Sequence, residues 1–113
     1  MRVAVIGSRG LTVELGEYLP AETTEIVSGG AKGVDTSARE YAQRNGIRLT
    51  EFLPDYKKYG RAAPLKRNIQ IIEYADIVLA FWDGSSRGTF HVIKNCETLK
   101  KCVKVYQICK CGG

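Results

Sequence analysis

The sequence lacks any run of about 18 or more apolar residues, and this absence excludes a membrane-spanning helix. It also lacks the apolar core of a signal peptide, because charged side chains interrupt residues 1–20. Hydrophobic residues make up 44% and charged residues 26% of the chain, ordinary globular values that exclude a disordered or collagen-like protein. We therefore expect a single cytoplasmic domain over residues 1–113.

Recognisable metal-ligand spacing is missing as well. The four cysteines, Cys96, Cys102, Cys109 and Cys111, all lie close to the carboxyl end, and their spacing matches no zinc-binding pattern. In the cytoplasm they should be reduced thiols. We predict no metal site, and we expect residues 109–113 to form a flexible tail.

Charge is unevenly distributed along the chain. Residues 1–56 contain 6 Lys or Arg and 8 Asp or Glu, a net charge of −2, whereas residues 57–113 contain 11 and 4, a net charge of +7. A basic half of this kind favours an anionic partner such as a nucleotide or a nucleic acid. The alternative is a lysine-rich surface that only contacts solvent.

Apolar runs alternate with segments of helical periodicity over the whole chain. Five strands are predicted, at Arg2–Gly7, Glu25–Ser28, 47–53, Ile77–Trp82 and 103–108. Four helices are predicted between them. The spacing of Leu11, Leu15 and Leu19 indicates the first, and the apolar face Val34, Ala38, Tyr41 and Ala42 indicates the second, which ends at Gly46. The third begins at Pro64 and buries Leu65, Ile69, Ile72 and Ala75, and the fourth extends over 88–101.

This alternation predicts an α/β fold with a parallel sheet. The first and fourth strands are almost wholly apolar, which indicates burial on both faces and a central position, whereas the third and fifth alternate in polarity as edge strands do. With right-handed crossovers, the order 3-2-1-4-5 satisfies these constraints. The prediction is a Rossmann-like, doubly wound, three-layer sandwich whose ligand crevice lies between strands 1 and 4.

Three glycine-rich turns follow strands 1, 2 and 4, so a parallel sheet brings them to one edge. Glycine allows close approach of a ligand to the backbone, and helix N-termini favour anions, so these turns predict a phosphate site. Arg9, Lys32 and Arg87 supply a cation in each turn, and Arg67 adds a fourth. The turns are Gly7-Ser8-Arg9-Gly10, Ser28-Gly29-Gly30-Ala31-Lys32-Gly33 and Asp83-Gly84-Ser85-Ser86-Arg87-Gly88-Thr89.

Two familiar nucleotide motifs are absent. The first turn is not GxGxxG, and strand 2 ends in Ser28 where a dinucleotide site has an acidic ribose ligand. No GxxxxGK[ST] motif occurs either. These absences exclude a dehydrogenase and a P-loop ATPase, and we predict no resident cofactor.

The motifs resemble those of the SLOG superfamily, most closely its small YspA-type members and more distantly the DNA-processing protein DprA/Smf and the lonely guy phosphoribohydrolases. The resemblance extends over about residues 1–100. It implies a Rossmann-like homodimer that binds nucleotides or nucleotide-derived ligands at the glycine turns. The residues that carry the resemblance are Gly7-Ser8-Arg9, Ser28-Gly29-Gly30-Ala31, Gly33, Asp35, Tyr59-Gly60, Arg67-Asn68 and Gly88-Thr89.

A departure from the lonely guy motif favours binding over catalysis. That family's GTxxE glutamate, which takes part in N-glycosidic cleavage, corresponds to Val92, and valine can neither relay a proton nor stabilise a cation. Arg67 matches that family's arginine. Hydrolysis of a nucleoside 5′-monophosphate remains an alternative, with Asp35, Glu73 and Asp83 as the carboxylates expected near the crevice.

A second alternative is single-stranded nucleic-acid binding of the DprA/Smf type. Binding of this kind combines cations with stacking aromatic rings. The segment Tyr56, Lys57, Lys58, Tyr59, Arg61 has that composition, although its tyrosines could instead pack on the sheet.

Several other polar and aromatic residues have simpler interpretations. Trp82 is either a base-stacking ring or part of the core, and His91, the only histidine, is a surface or cap residue. No general base accompanies the serines of the turns, so we interpret them as hydrogen-bond donors and not as nucleophiles.

Arg67 is predicted in the first turn of the helix that begins at Pro64. A cation there opposes the helix dipole, an arrangement that a phosphate ligand would justify. The alternative is a side chain that extends into solvent and pairs with an acidic neighbour. If it serves only the ligand, Arg67→Ala should change stability by no more than about 0.5 kcal/mol.

Overall fold

A five-stranded parallel sheet forms the centre of the computed structural model, which describes residues 1–30 and 33–108. The strand order is β3-β2-β1-β4-β5, so the predicted order and the α/β class are confirmed. The expectations for Ala31, Lys32, Cys109, Cys111 and the tail 109–113 lie outside the described residues. The strands are β1 (Arg2–Gly7), β2 (Glu25–Ser28), β3 (Arg48–Glu51), β4 (Ile77–Trp82) and β5 (Val103–Gln107).

Helices cover both faces of the sheet. One face packs on α1 (Val34–Asn45) and on the segment that contains the 3-10 turn Leu15–Glu17. The other face packs on α3 (Ala63–Tyr74) and α4 (Arg87–Thr98). The short helix α2 (Tyr56–Tyr59) and a 3-10 turn over Gly60–Ala62 precede α3.

The central strands are buried on both faces, as their continuous apolar sequences predict. Val3 and Val5 of β1 belong to the core beneath α1, and Ala4 and Ile6 belong to the core beneath α3 and α4. The two edge strands have partly exposed side chains. Hydrophobic burial on two sides therefore holds β1 and β4 next to each other, and the register Gly7↔Phe81 brings their carboxyl ends level.

The helix predicted from the leucine spacing is absent, because residues 11–20 form only the 3-10 turn at Leu15–Glu17. Leu11 and Leu15 are nevertheless buried. Gly16 and the β-branched Val13 disfavour a helix here. The Val13 N–H instead donates to Ser37 Oγ of α1 at 3.3 Å, which ties this segment to the neighbouring helix. The first glycine turn is therefore not followed by a helix N-terminus.

The buried face of α3 also differs from the prediction. Leu65 is 45% exposed, and the buried positions are Ala63, Asn68, Ile71 and Ile72, with Ala75 just beyond the helix. The helix begins at Ala63, so Pro64 is its second residue. Ile72 and Ala75 are buried as predicted, whereas Ile69 is only half-buried and Leu65 borders an open cleft.

Helix ends follow local backbone rules. As predicted, α1 ends at Gly46, which has a left-handed φ of 63°. α4 ends at Thr98, earlier than predicted, because Lys100 has a φ of 55° and the Lys101 N–H donates to the Cys96 carbonyl at 2.9 Å. That bond closes the helix as in a Schellman motif.

The described part of the chain contains no helix that is both long and apolar enough to cross a bilayer. Its two cysteines are free thiols, Cys96 buried and Cys102 exposed. Burial raises the pKa of the Cys96 thiol to about 11.

A buried carboxylate at the amino end of β2 links three elements. Glu25 Oε2 accepts hydrogen bonds from Thr50 Oγ1 of β3 and from Tyr74 Oη of α3, both at 2.6 Å. Burial by itself raises the pKa of the Glu25 carboxyl, but these two bonds and the charges of Arg48 and Arg2 have the larger combined effect. The pKa of Glu25 is consequently lowered.

This lowered pKa makes stability depend on pH. The ionised Glu25 stabilises the native state above its unfolded pKa of about 4.3, and this contribution is lost as the pH falls through the lower native value. We expect Glu25→Gln to lower the unfolding free energy by about 1–2 kcal/mol near neutral pH. The deficit should shrink toward zero in urea unfolding at about pH 3. The exposed Glu73→Gln is the control, and a pH-independent deficit for Glu25→Gln would contradict the argument.

Candidate functional site

A cleft of about 460 Å³ opens at the carboxyl edge of the sheet, where the chain turns away from β1 and β4. This is the switch point at which the strand order reverses, the position at which doubly wound folds bind ligands. Its volume is within the range of roughly 300–1,000 Å³ for small-molecule sites. α3 and α4 supply the remaining walls.

Most of the predicted site residues line this cleft. Those that do are Gly7, Ser8, Arg9, Gly29, Asp35, Arg67, Asn68, Asp83, Ser86, Gly88 and Thr89. Those that do not are Ser28, Gly30, Gly33, Gly84, Ser85 and Arg87. Ala31 and Lys32 lie outside the described residues. Glu73 is exposed and does not line the cleft, contrary to the expectation.

Some of the predicted residues outside the lining shape the turns. Ser28 Oγ accepts a hydrogen bond from the Gly30 N–H at 3.3 Å, which folds the second turn back on itself. Gly33 has a φ of 76°, and a side chain there would collide with the backbone of Arg9. That close approach lets the first and second turns meet, so glycine is required for packing there.

The first and third turns are joined by Ser8, which is only 2% exposed. Its N–H donates to the Phe81 carbonyl at 3.1 Å, and its Oγ accepts from the Asp83 N–H at 3.3 Å. Ser8 thereby holds β1 and the loop after β4 together at the base of the cleft.

Asp83 organises the loop that leads into α4. Its Oδ1 accepts hydrogen bonds from the Ser85 and Ser86 N–H groups at 2.9 and 2.8 Å and from Ser85 Oγ at 3.3 Å. The carboxylate also borders the cleft.

The N-terminus of α4 opens into the cleft at Gly88 and Thr89. Among the described residues, the N-cap Ser86 side chain accepts no cap hydrogen bond. The first N–H groups of an α-helix have no acceptor within the helix, and they carry its positive end. Gly88 adds no steric barrier, since a Cβ there would meet no described atom within 4 Å. The cleft therefore has an anion-attracting end.

Arg67 occupies the opposite wall, in a position that the sequence did not predict. It is the fifth residue of α3, not a first-turn residue, and its side chain neither extends into solvent nor pairs with an acidic residue on its own helix. Nη1 donates to the Gly29 carbonyl at 2.8 Å and to the Phe52 carbonyl at 3.5 Å. Nε donates to Asn68 Oδ1 at 3.0 Å.

The environment of Arg67 is partly desolvated. Burial lowers the pKa of its guanidinium, whereas the negative charge of Asp35 raises that pKa and the positive charge of Arg9 lowers it. An arginine remains protonated in proteins, so the site retains this charge. Gly29 makes the contact possible, because a Cβ at Gly29 would lie 2.6 Å from Arg67 Nη1.

An apolar wall was not among the predicted site residues. Ile6, Pro64, Leu65, Ile71 and Val92 line the cleft beside the polar turns. The sequence did single out Val92, but only as a missing glutamate. The other apolar residues were interpreted as core positions, and only the packing of α3 against α4 reveals that they face a cavity.

Three other candidates lie outside the cleft. Trp82 Nε1 donates to the Ser86 carbonyl at 3.0 Å, and its ring packs against Phe90 with centroids 5.7 Å apart. His91 contacts Asn95 on the same helix. Tyr56 is exposed and Tyr59 is half-buried. In the part of the chain that the structure describes, no group of three potential metal ligands occurs.

Comparison with known proteins supports the resemblance. The family model described as YAcAr, the YspA, cpYpsA-related SLOG family, matches residues 14–59. The match includes the second glycine turn and α1, and it supports membership of the SLOG superfamily. At the family level it points to nucleotide-related binding or modification. No curated protein and no solved structure matches the chain.

The contacts of Arg67 change the expected effect of its removal. We expect Arg67→Ala to lower the unfolding free energy by about 1.5–3 kcal/mol, because it removes charge-assisted bonds to partly buried carbonyls. The control is Arg61→Ala, which removes an exposed cation just before α3. It should change stability by less than about 0.5 kcal/mol. Chemical denaturation measures both, and equal stabilities would show that the Arg67 bonds contribute nothing to the fold.

Proposed function

We propose that this member of the SLOG superfamily binds a nucleotide or nucleotide-derived ligand, with its phosphate group in the cleft between β1 and β4. The observation that carries the proposal is that the N-terminus of α4, where the Ser86 side chain makes no cap hydrogen bond to any described residue, lies around one cavity with two arginines, Arg9 and Arg67. The family match supports the same class of ligand.

The phosphate would bind at the polar end of the cleft. The N–H groups at Gly88 and Thr89 offer donors with a favourable dipole, and the Thr89 hydroxyl is a further possible partner. Nε and Nη1 of Arg67 donate to protein oxygens, and we propose that Nη2 donates to the phosphate. Arg9 is exposed at the cleft and adds a second positive charge.

The uncharged part of the ligand would contact the apolar wall. Leu65 is exposed and Pro64 is half-buried, so these two side chains offer a surface on which a base or sugar can be buried, whereas Ile71 and Val92 are buried in the core. Leu65 is 45% exposed, and a bound base would remove part of this apolar surface from water. A cleft that is polar at one end and apolar along one wall suits an amphipathic nucleotide better than inorganic phosphate alone.

A matched pair of arginines tests this proposal. Arg9 and Arg87 are both exposed and both lie in glycine turns, but only Arg9 lines the cleft. Isothermal calorimetry with AMP, GMP and ADP-ribose should detect binding by the parent protein, with adenosine as the ligand lacking phosphate. We expect Arg9→Gln to weaken the affinity about tenfold, a loss of about 1.4 kcal/mol, and Arg87→Gln to leave it unchanged.

Thermal unfolding provides an independent measurement for the same ligands. A ligand at about 100 times its Kd should stabilise the native state by roughly 2.7 kcal/mol. If millimolar concentrations of every phosphate ligand leave unfolding unchanged, the proposal fails. Equal losses of affinity in Arg9→Gln and Arg87→Gln would remove the cleft as the binding site.

N-glycosidic hydrolysis is the competing function at this cleft. We expect AMP incubated with the protein to release no adenine over several hours, because Val92 cannot relay a proton. Chromatography of the products measures this directly, with protein-free AMP as the control. Release of adenine and ribose 5-phosphate would contradict the expectation, and Asp35→Asn and Asp83→Asn would then identify the carboxylate responsible.

A further inference from the structure

A basic surface with one exposed and one half-buried tyrosine ring adjoins the cleft. We call it the basic platform, and it consists of Tyr56, Lys57, Lys58, Tyr59, Arg61 and Lys66. Residues 56–72 contain no acidic side chain, so the positive charge is uninterrupted along the chain from α2 into α3. Lys66 stands between Leu65 and Arg67, both of which line the cleft, so the platform and the cleft are contiguous.

The cations of the platform form no ion pair with the described acidic residues. Within residues 1–30 and 33–108, ion pairs form at Arg2, Arg39, Arg44, Arg48 and Lys94, and at none of the four platform cations. The acidic residue nearest in sequence, Asp55, accepts a hydrogen bond from the Lys58 N–H as the cap of α2. Four exposed cations without an acidic partner favour an extended polyanion.

The rings of the platform favour nucleic acid among polyanions. Tyr56 is 60% exposed and lies within electrostatic reach of Arg67 at the cleft. Tyr59 has Lys58 Nζ at 5.2 Å and Lys66 Nζ at 6.0 Å from its ring centroid. Bases of a single strand stack on such rings while lysines contact the backbone phosphates, whereas an anionic lipid surface gains nothing from stacking.

We propose that the protein binds the 5′-phosphorylated end of a single-stranded nucleic acid, with the terminal nucleotide in the cleft and the following nucleotides on the basic platform. This inference rests on the proposed function. A cleft of about 460 Å³ suits one nucleotide and not a continuous strand, so only a strand end can enter it. A terminal phosphate carries nearly two negative charges near neutral pH, which suits the paired Arg9 and Arg67, whereas each internal phosphate carries one.

The experiment compares strand ends by fluorescence anisotropy. The probes are ten-nucleotide oligothymidylate and oligouridylate strands that carry a 5′-phosphate, a 3′-phosphate or no terminal phosphate, with the dye at the other end. We expect the 5′-phosphorylated strands to bind at least about tenfold more tightly than the other two, the loss typical of a missing charge-assisted contact. Comparison of the oligothymidylate with the oligouridylate strands shows whether the protein prefers DNA or RNA.

Variants separate the platform from the cleft. We expect Lys57→Gln, Lys58→Gln and Lys66→Gln, combined in one chain, to reduce the log–log salt slope of strand binding by about 2, since each lost contact contributes about 0.7. Lys104→Gln, an exposed lysine of the edge strand β5, should leave the slope unchanged. Tyr56→Ala should weaken binding at least about fivefold and Tyr56→Phe should not, because stacking needs the ring alone.

AMP affinity of the same variants identifies which proposal fails. If AMP binds normally to the platform variants while strand binding is lost, both proposals are supported. If AMP binds but strands bind without preference for a 5′-phosphate, or anionic vesicles bind and strands do not, this inference is overturned and the proposed function stands. If neither AMP nor strands bind, both are overturned.

Discussion

The guanidinium of Arg67 is the interaction on which the cleft depends. It extends from the middle of α3 to the Gly29 carbonyl at 2.8 Å, and it thereby fixes the distance between a helix on one face of the sheet and the turn after β2. Gly29 has no side chain to block this contact, and Asn68 orients the guanidinium through Nε. One cation thus sets the geometry of the site and also supplies charge to it. A partly desolvated arginine is stable here because its Nε and Nη1 donate to amide and carbonyl oxygens.

The remaining walls are held by equally local links. Ser8 joins the ends of β1 and β4, and Asp83 folds the loop between β4 and α4. These bonds use side chains that could otherwise bind a ligand, so the polar groups that remain available are fewer than the sequence motifs suggest. They are concentrated at the start of α4 and on the two arginines, which confines the expected phosphate position to one end of the cleft.

The basic side chains of this protein differ in their ion pairing according to where they lie. Arginines remote from the cleft, such as Arg39 and Arg48, pair with the carboxylates of Glu51 and Glu25 and contribute to the fold. Within residues 1–30 and 33–108, the four cations of the basic platform form no such pairs. Surface pairs of this kind contribute little stability, so the unpaired state costs the fold little. The same cations are then available for an anionic ligand, which connects the proposed function with the further inference.

The sequence by itself determined the sheet order and the edge at which the cleft opens, because continuous apolar runs mark central strands and chain direction fixes where parallel strands end. It also singled out Arg9, Arg67, Gly88 and Thr89 as candidate ligand-binding residues, and all four line the cleft. It did not determine the conformation of residues 11–20. This segment forms no α-helix, and its Val13 N–H donates to Ser37 Oγ of α1. Nor did it determine the apolar wall or the contacts of Arg67. The apolar wall depends on how α3 packs against α4, and the Arg67 contacts depend on which carbonyls lie close to its guanidinium. The periodicity of one segment carries no information about contacts between segments that are distant in the chain.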